Sequence, residues 1–286
     1  MPELVTGVSS AALVASPDLA LGTLVGSCCF NLSILALMDV LHPRTPVLSQ
    51  ASPRHMISAG WGILLMSIVG VSILAGDKIS RLALGWFGIP SIVILAVYLT
   101  GMWRQFRYER SHQLIAQAAS QNYREIPRRI VYIRFALAAA AVIAAGIWLS
   151  FIGDEIATTT SLGSTFVGTL FLAISTSMPE LVVCVAALRL DAIDMAIADV
   201  LGANMLDLAN IAWVDIAYRQ GPILCSVSSS HLITATVTVI MSLLVIAGLR
   251  FRQKRKTFLI ISWYAVALIG LYVFAAYALF TSNAGL

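Results

Sequence analysis

The segment "TSMPELVV", Thr176 to Val183, lies inside a long apolar run, and the chain opens on "MPELVTGV", Met1 to Val8. Set against each other, "MPELVTGVSSAALVASPDLALGTLVGSCCFNLSIL" and "MPELVVCVAALRLDAIDMAIADVLGANMLDLANIA" align over their whole length. Glu180 follows Glu3 by 177 residues and Gly202 follows Gly26 by 176, so a one-residue gap brings the two into register. Asn31 then stands opposite Asp207, and Asp39 opposite Asp215. A shared Pro-Glu step with acids and amides in register marks an internal duplication.

The surroundings are those of a membrane. Of 286 residues, 59% are hydrophobic and 11% charged, and the mean hydropathy is +0.89. A soluble domain carries about a quarter charged residues, whereas a bilayer-crossing helix needs about 20 mostly apolar ones. Hydropathy places spans at Leu19–Leu41, Ile57–Ala75, Leu84–Trp103, Ile130–Phe151, Phe166–Leu188, Ala192–Tyr218, Leu232–Leu249 and Phe258–Phe280, after a partial span Glu3–Val14. The fold class is therefore an all-α polytopic membrane protein, with the lipid bilayer and inorganic cations as its partners. The net charge of +4 sits in loops between spans and gives no case for nucleic acid. Cys28, Cys29, Cys184 and Cys225 have no metal spacing and read as small buried hydrophobes. No Ser/His, Cys/His or metal-ligand constellation suggests an enzyme or calls for a cofactor.

Loop charge sets the orientation. The stretch Arg104–Arg129 carries six arginines and Arg250–Lys256 carries five basic residues, so both are expected in the cytoplasm. Alternating the spans puts Arg44, Arg54 and Arg189 on the same side, and Asp154, Glu155 and Arg219 outside. Asp77, Lys78 and Arg81 fall outside as a weak exception. The span holding Glu3 then runs outward and the span holding Glu180 inward. Repeats inverted in this way are how many secondary transporters build a site near the bilayer midplane. The expected division is 1–103 for the first half, 104–129 for a basic cytoplasmic linker and 130–286 for the second half.

The chemistry at the breaks suits a cation. Proline lacks an amide hydrogen and disfavours helix in the residue before it, which frees carbonyls near Thr176 and Ser177. Their hydroxyls add oxygens, and Glu3 and Glu180 add carboxylates. Hard cations such as Ca²⁺ take six to eight oxygen ligands, and ionisable groups inside a membrane mark pathways. Ser27 and Asn31 share a helix face, as do Asp199, Ala203 and Asp207. Other features read more plainly. Asp39 and Asp215 are expected at the solvated ends of their spans. His42, His55, His112 and His231 lie in loops or at span ends without ligand spacing. The Gly22–Gly26 step suits close helix packing.

These paired motifs resemble the two alpha-repeats of the cation/calcium antiporter superfamily, in its sodium/calcium exchanger branch. The resemblance implies ten transmembrane helices in two inverted halves around a central cation site. That site would use Glu3 and Glu180, with oxygens from Thr176 and Ser177, neighbouring sites completed by Asn31 and Asp207, and Ser27 as a sodium-site hydroxyl. The "TSMPE" form is closer to sodium-coupled members than to the proton-coupled branch, whose motif reads Gly-Asn-Ala before the glutamate. Two residues depart from the family pattern: Ala203 replaces a serine, and Asp199 stands where asparagine or threonine is usual. On the template of Ile130 to Met178, the first half lacks its first one and a half helices, about fifty residues, so an N-terminally shortened chain is expected.

The function expected from this resemblance is Na⁺/Ca²⁺ exchange by alternating access, in a bacterial-type cell (inner) membrane. The alternatives are exchange coupled to H⁺ or of another cation, and a truncated membrane protein that does not transport. The transported ions, Ca²⁺ and Na⁺, would be cargo.

Overall fold

The helices recur in the register of the repeat. The computed structural model describes residues 2–42, 45–76, 78, 83–112, 128–160, 162–253, 255–258 and 260–283. The first half runs through α1 (Pro2–Ala12), α2 (Pro17–Leu41), a short α3 (Val47–Gln50) and α4 (His55–Ala75). A two-stranded hairpin, β1 (Ala83–Leu84) and β2 (Phe87–Gly88), leads into α5 (Ile89–His112). The second half adds α6 (Arg128–Thr159) and a helix pair, α7 (Ser164–Thr176) and α8 (Met178–Arg189). It continues with α9 (Ile193–Ala217), α10 (Ile223–Ser226), α11 (His231–Arg250) and α12 (Trp263–Asn283). The starts of α9, α10 and α11 each fall 176 residues after those of α2, α3 and α4. Even the turns match: Ala15 and Asp191, the residues before α2 and α9, both have positive φ, 59° and 56°.

Among the described residues, seven helices are long and apolar enough to cross a bilayer, and the bent pair α7–α8, counted as one span, brings the number to eight. The central pair is α2 and α9. In their most apolar windows 72% and 67% of residues are buried, against 11% for α6, which lies at the periphery. Two clusters of buried side chains show how the central pair runs. Leu32, Leu35 and Met38 late in α2 pack with Ile193 and Ile197 early in α9. Leu21 and Leu24 early in α2 pack with Leu208, Ile211 and Val214 late in α9. The two helices are antiparallel, so the halves are inverted. Where they cross, Cys28 Sγ donates to the Asn204 carbonyl at 3.5 Å, and Asn204 Nδ2 donates to the Cys28 carbonyl at 3.2 Å. Positions 28 and 204 are equivalents in the repeat, so the pseudo-twofold axis passes between them.

Glycine sets one of these approaches. A methyl on Gly26 would lie 2.3 Å from the Thr169 carbonyl oxygen, and one on Gly168 would lie 2.7 Å from the Leu19 carbonyl oxygen. The Gly22–Gly26 step therefore packs helices, as expected, against a π-helical turn in α7, Gly168–Leu172. One expected span starts later than hydropathy suggests: residues 83–88 turn back on themselves around Gly85 (φ 70°), and the helix begins at Ile89. The expected span Phe166–Leu188 is two helices, bent by 43°. Residues 113–127 of the basic linker, and Arg44, Asp77 and Arg81 of the charge argument, lie outside the described residues.

Asp39 and Asp215 correct the expectation of solvated span ends, because both are fully buried. Asp39 accepts from the backbone N–H groups of Val47 (3.1 Å) and Ser262 (2.8 Å), and from the hydroxyls of Ser262 and Tyr264. Asp215 accepts from the N–H groups of Ile223 (2.7 Å) and Gly88 (2.9 Å). Each carboxylate satisfies the backbone of the loop that follows its own span, and so replaces the water an interfacial loop would otherwise use.

Two histidines carry a second symmetric device. His55 Nε2 meets Asp194 Oδ1 at 2.8 Å, and His231 Nε2 meets Asp18 Oδ1 at 3.1 Å. The same oxygens accept from Ser52 N–H (2.7 Å) and Ser228 N–H (2.6 Å). Each clasp ties one half to the other, one at each end of the α2–α9 pair.

Candidate functional site

Polar residues collect between the two apolar clusters. Ser27 and Asn31 come from α2, Asp199 and Asp207 from α9, Glu3 from α1, and Thr176, Ser177 and Glu180 from the α7–α8 break. Pro179 in the first turn of α8 cannot donate to the carbonyl four residues back, so the carbonyl left without its helical partner is that of Ser175. The carbonyl of Ser177 instead accepts from Leu181 N–H at 3.3 Å. Ser177 itself takes φ −89° and ψ 10°, away from the helical region, and this turns the chain.

The break brings the expected residues together. Ser177 Oγ donates to Glu3 Oε1 at 3.4 Å, joining the two halves through their glutamate positions. The hydroxyls of Ser27 and Thr176 face each other at 3.4 Å. Glu180 lies within Coulombic range of Glu3 and Asp199, and Asp207 within range of Glu3 and Glu180. Glu3, Ser27, Asn31, Thr176, Ser177 and Asp207 are buried, while Glu180 and Asp199 are half-buried.

Several of these groups have no hydrogen-bond partner among the described residues. Glu180 Oε2, Asp199 Oδ2, Asp207 Oδ2 and both amide atoms of Asn31 are buried without a hydrogen-bond partner. Among the described residues, none of the three carboxylates forms an ion pair with a Lys or Arg. No cluster of three or more His, Cys, Asp or Glu side chains is shaped to hold a metal ion among the described residues. The oxygens gathered here are of hydroxyl, amide and carbonyl as well as carboxylate type.

Sequence reading missed one member. Asn204 Oδ1 is also buried and unpartnered at the crossing point. The signal was in the register, which puts Asn204 opposite Cys28 at the pseudo-twofold axis. Cys28, Cys29 and Cys184 match expectation as buried thiols, whereas Cys225 is only half-buried and its Sγ donates to the Gly76 carbonyl at 3.4 Å.

Two antiparallel repeats crossing at a polar midsection, the second carrying a helix bent by 43° just before Pro179, define an inverted-repeat membrane transporter. The chain belongs to the sodium/calcium exchanger protein family, which matches residues 130–281, more than half of its length. It is 25% identical over 246 residues to the inner membrane protein YrbG of Escherichia coli (strain K12), covering 85% of this chain and 74% of that protein. It is 21% identical over 277 residues to the uncharacterized membrane protein MJ0091 of Methanocaldococcus jannaschii, covering 96% and 81%. Among solved structures it is similar to the sodium-calcium exchanger NCX_Mj. The crystal soaked with 100 mM Na⁺ and 10 mM Sr²⁺ gives a TM-score of 0.60 at 19% identity, over 96% of this chain and 81% of that one. The crystal soaked with 2.5 mM Na⁺ and 0.1 mM Sr²⁺ gives 0.61 at the same identity and coverage. At that identity the likeness concerns the fold. The chain is thus an integral, multi-pass membrane protein and a cation/calcium antiporter.

Proposed function

We propose that the protein exchanges Na⁺ for Ca²⁺ by alternating access at a site shared by Glu3 and Glu180. The observation that carries this reading is the set of buried, unpartnered oxygens: Glu180 Oε2, Asp199 Oδ2, Asp207 Oδ2 and Asn31 Oδ1. Carboxylates close together in a medium of low dielectric repel one another and lose hydration. A divalent cation between them offsets both costs, and sodium ions on the same oxygens do so in its absence. Because both ions use the same carboxylates, entry of one requires departure of the other. Flux is coupled in this way without covalent chemistry.

The residues divide the work by type. Glu3 and Glu180 supply the charge at the pseudo-symmetric centre. Thr176 and Ser177 supply neutral oxygens where the helix breaks, and Ser27 supports Thr176 from α2. Asn31 and Asp207 are equivalents in the repeat and flank the centre as secondary sodium positions. The NCX_Mj crystals were soaked with Na⁺, Ca²⁺ or Sr²⁺, and this agrees with a cation site of that kind here. The division of the chain into halves 1–103 and 130–286, joined by the basic stretch 104–129, belongs to the same proposal.

A second reading keeps the site and changes the coupling ion. Asp199 stands where the first half has Thr23, whose hydroxyl is satisfied by the Leu19 carbonyl at 2.9 Å. A carboxylate with a free oxygen can carry a proton where a bonded threonine cannot, so proton-coupled exchange is the alternative.

The test is calcium uptake into proteoliposomes driven by an outward sodium gradient. Wild-type protein takes up calcium only when the gradient is present, and Glu180→Gln reduces uptake to the level of empty vesicles. Undiminished uptake by Glu180→Gln would remove the glutamate pair from the mechanism. Uptake driven by a pH gradient and indifferent to sodium would favour the proton-coupled reading.

A further inference from the structure

One end of the bundle holds a cavity of about 550 Å³ between α4 and α5. Arg54, just before α4, lines it together with Arg104 and Arg107 from the later turns of α5. Among the described residues no acidic side chain joins them in the lining, and none of the three forms an ion pair. Asp194 is in Coulombic range of Arg54, but its Oδ1 already meets His55 Nε2 and the Ser52 N–H. Guanidinium groups converging from two helices on one concave space, without a counter-charge, call for an anion. The same charges would repel a cation, so the space does not suit the approach of Na⁺ or Ca²⁺.

The walls beside the arginines are aromatic and apolar. A methyl on Gly101 would lie 3.0–3.2 Å from atoms of the Trp61 ring, so this glycine lets α4 and α5 close on each other beside the cavity. The Arg107 guanidinium carbon lies 4.9 Å from the Trp103 ring centroid, a cation–π contact that orients it. Gln105 Nε2 donates to Ser58 Oγ at 2.8 Å and ties the two helices together within the lining. Ile57 and Leu64, with Trp61 between them, share one face of α4, and Leu99 and Trp103 share one face of α5. Ile57, Leu64, Leu99 and Trp103 are all exposed. A cationic pocket that opens onto apolar helix faces fits an amphiphile, whereas a soluble anion would use the arginines alone. The scaffold does not require these residues, because Arg54 and Trp61 correspond in the repeat to Ser230 and Val237.

We propose that this cavity binds the phosphate headgroup of an anionic phospholipid, with Arg54, Arg104 and Arg107 as its counter-charges and its acyl chains along α4 and α5. On the orientation expected from loop charge, this end faces the cytoplasm, and basic pockets between helices on that side suit anionic headgroups. Ala198 of α9 also lines the cavity, so the lipid touches both halves beside the His55–Asp194 clasp. The proposal does not depend on which ions are exchanged.

The experiment follows the melting temperature of the purified full chain in a neutral detergent. Phosphatidylglycerol, phosphatidylcholine and inorganic phosphate are titrated separately. Phosphatidylglycerol raises the melting temperature saturably, as a ligand of the folded state does, and the other two do not. In Arg54→Gln/Arg104→Gln the phosphatidylglycerol concentration for half-maximal stabilisation rises at least about tenfold, from the loss of two charge-assisted contacts. Both side chains are exposed, so the variant melts at the wild-type temperature without lipid. Arg107→Gln alone shifts the midpoint in the same direction if the double variant does not fold. Arg189→Gln/Arg250→Gln removes equal charge from the same side outside the cavity and moves the midpoint by less than about twofold. An unmoved midpoint in the Arg54/Arg104 variant overturns the site, and so does an equal rise in the Arg189/Arg250 variant, which would mean diffuse surface attraction. Equal stabilisation by phosphatidylcholine overturns the headgroup's role, and stabilisation by phosphate alone assigns the cavity to a soluble anion instead.

Discussion

The two halves of this molecule agree in their scaffold and disagree in their lining. Asp39 and Asp215 cap equivalent loops, His55–Asp194 and His231–Asp18 clasp equivalent helix ends, and Ala15 and Asp191 turn with the same unusual backbone. At the centre the pairs diverge: Ser27 against Ala203, Thr23 against Asp199, Asn31 against Asp207, Thr6 against Val183. The scaffold keeps its symmetry because inverted halves must fit each other from both sides of the membrane. On the exchange proposed above the lining has no such constraint, since one site would hold unlike ions. Symmetry therefore reports what holds the fold, and on that proposal its breaking marks where ions would be told apart.

The largest expected effect lies at the centre. Glu3→Gln and Glu180→Gln each abolish sodium-driven calcium uptake in proteoliposomes, despite the difference in burial between the two glutamates. Activity surviving in one of them would mean that the halves contribute unequally to the ion's charge. Next come the loop caps. Asp39→Ala costs about 3 kcal/mol or more, because several bonds to one charged group are lost. Asp215→Ala costs less, since Lys256 Nζ, 3.8 Å from Asp39 Oδ2, has no counterpart there among the described residues. Melting temperatures in detergent check the order, and equal losses would assign Lys256 no part in the cap.

The glycines give a smaller and more pointed contrast. Gly26→Ala forces a methyl into the Thr169 backbone and costs about 1–3 kcal/mol. At the equivalent Gly202 nothing lies within 4 Å, so Gly202→Ala is neutral or gains up to about 1 kcal/mol from helix propensity. Thermal melts of the two variants side by side decide it. The smallest effects belong to the clasps. His231→Leu and His55→Leu each lose about 1 kcal/mol, with His231 the larger, because its partner Asp18 is less exposed than Asp194, 28% against 47%.

Much of this was legible in the sequence because a bilayer imposes simple rules. Runs of about twenty apolar residues gave the spans, and the doubled Pro-Glu step gave the register that the helices follow. The residues Glu3, Ser27, Asn31, Thr176, Ser177, Glu180, Asp199 and Asp207 stood out because polar atoms are costly at that depth; contacts or short-range charge link Ser27 to Thr176, Ser177 to Glu3, and Glu180 to Glu3 and Asp199, with Asp207 near both glutamates, while Asn31 lies one turn beyond Ser27 on α2. Asp39 and Asp215 were misread for the same physical reason in reverse. An acid near a span end looks like an interfacial group, and only the fold reveals the loop amides that bury it. The clasps were hidden because each joins residues about 140 or more positions apart, although the 176-residue register already paired His55 with His231. The π-helical turn at Gly168–Leu172 had no signal beyond its glycine, since the contact that requires it comes from Gly26 in the other half.

The central claim is that sodium and calcium compete for one set of oxygens. Its most direct test is the calcium midpoint for thermal stabilisation of the purified protein, measured at several fixed sodium concentrations. Competition predicts a midpoint that rises steadily with sodium while the maximal stabilisation stays constant. A calcium midpoint indifferent to sodium, or a maximum that falls while the midpoint stands still, would contradict a shared site.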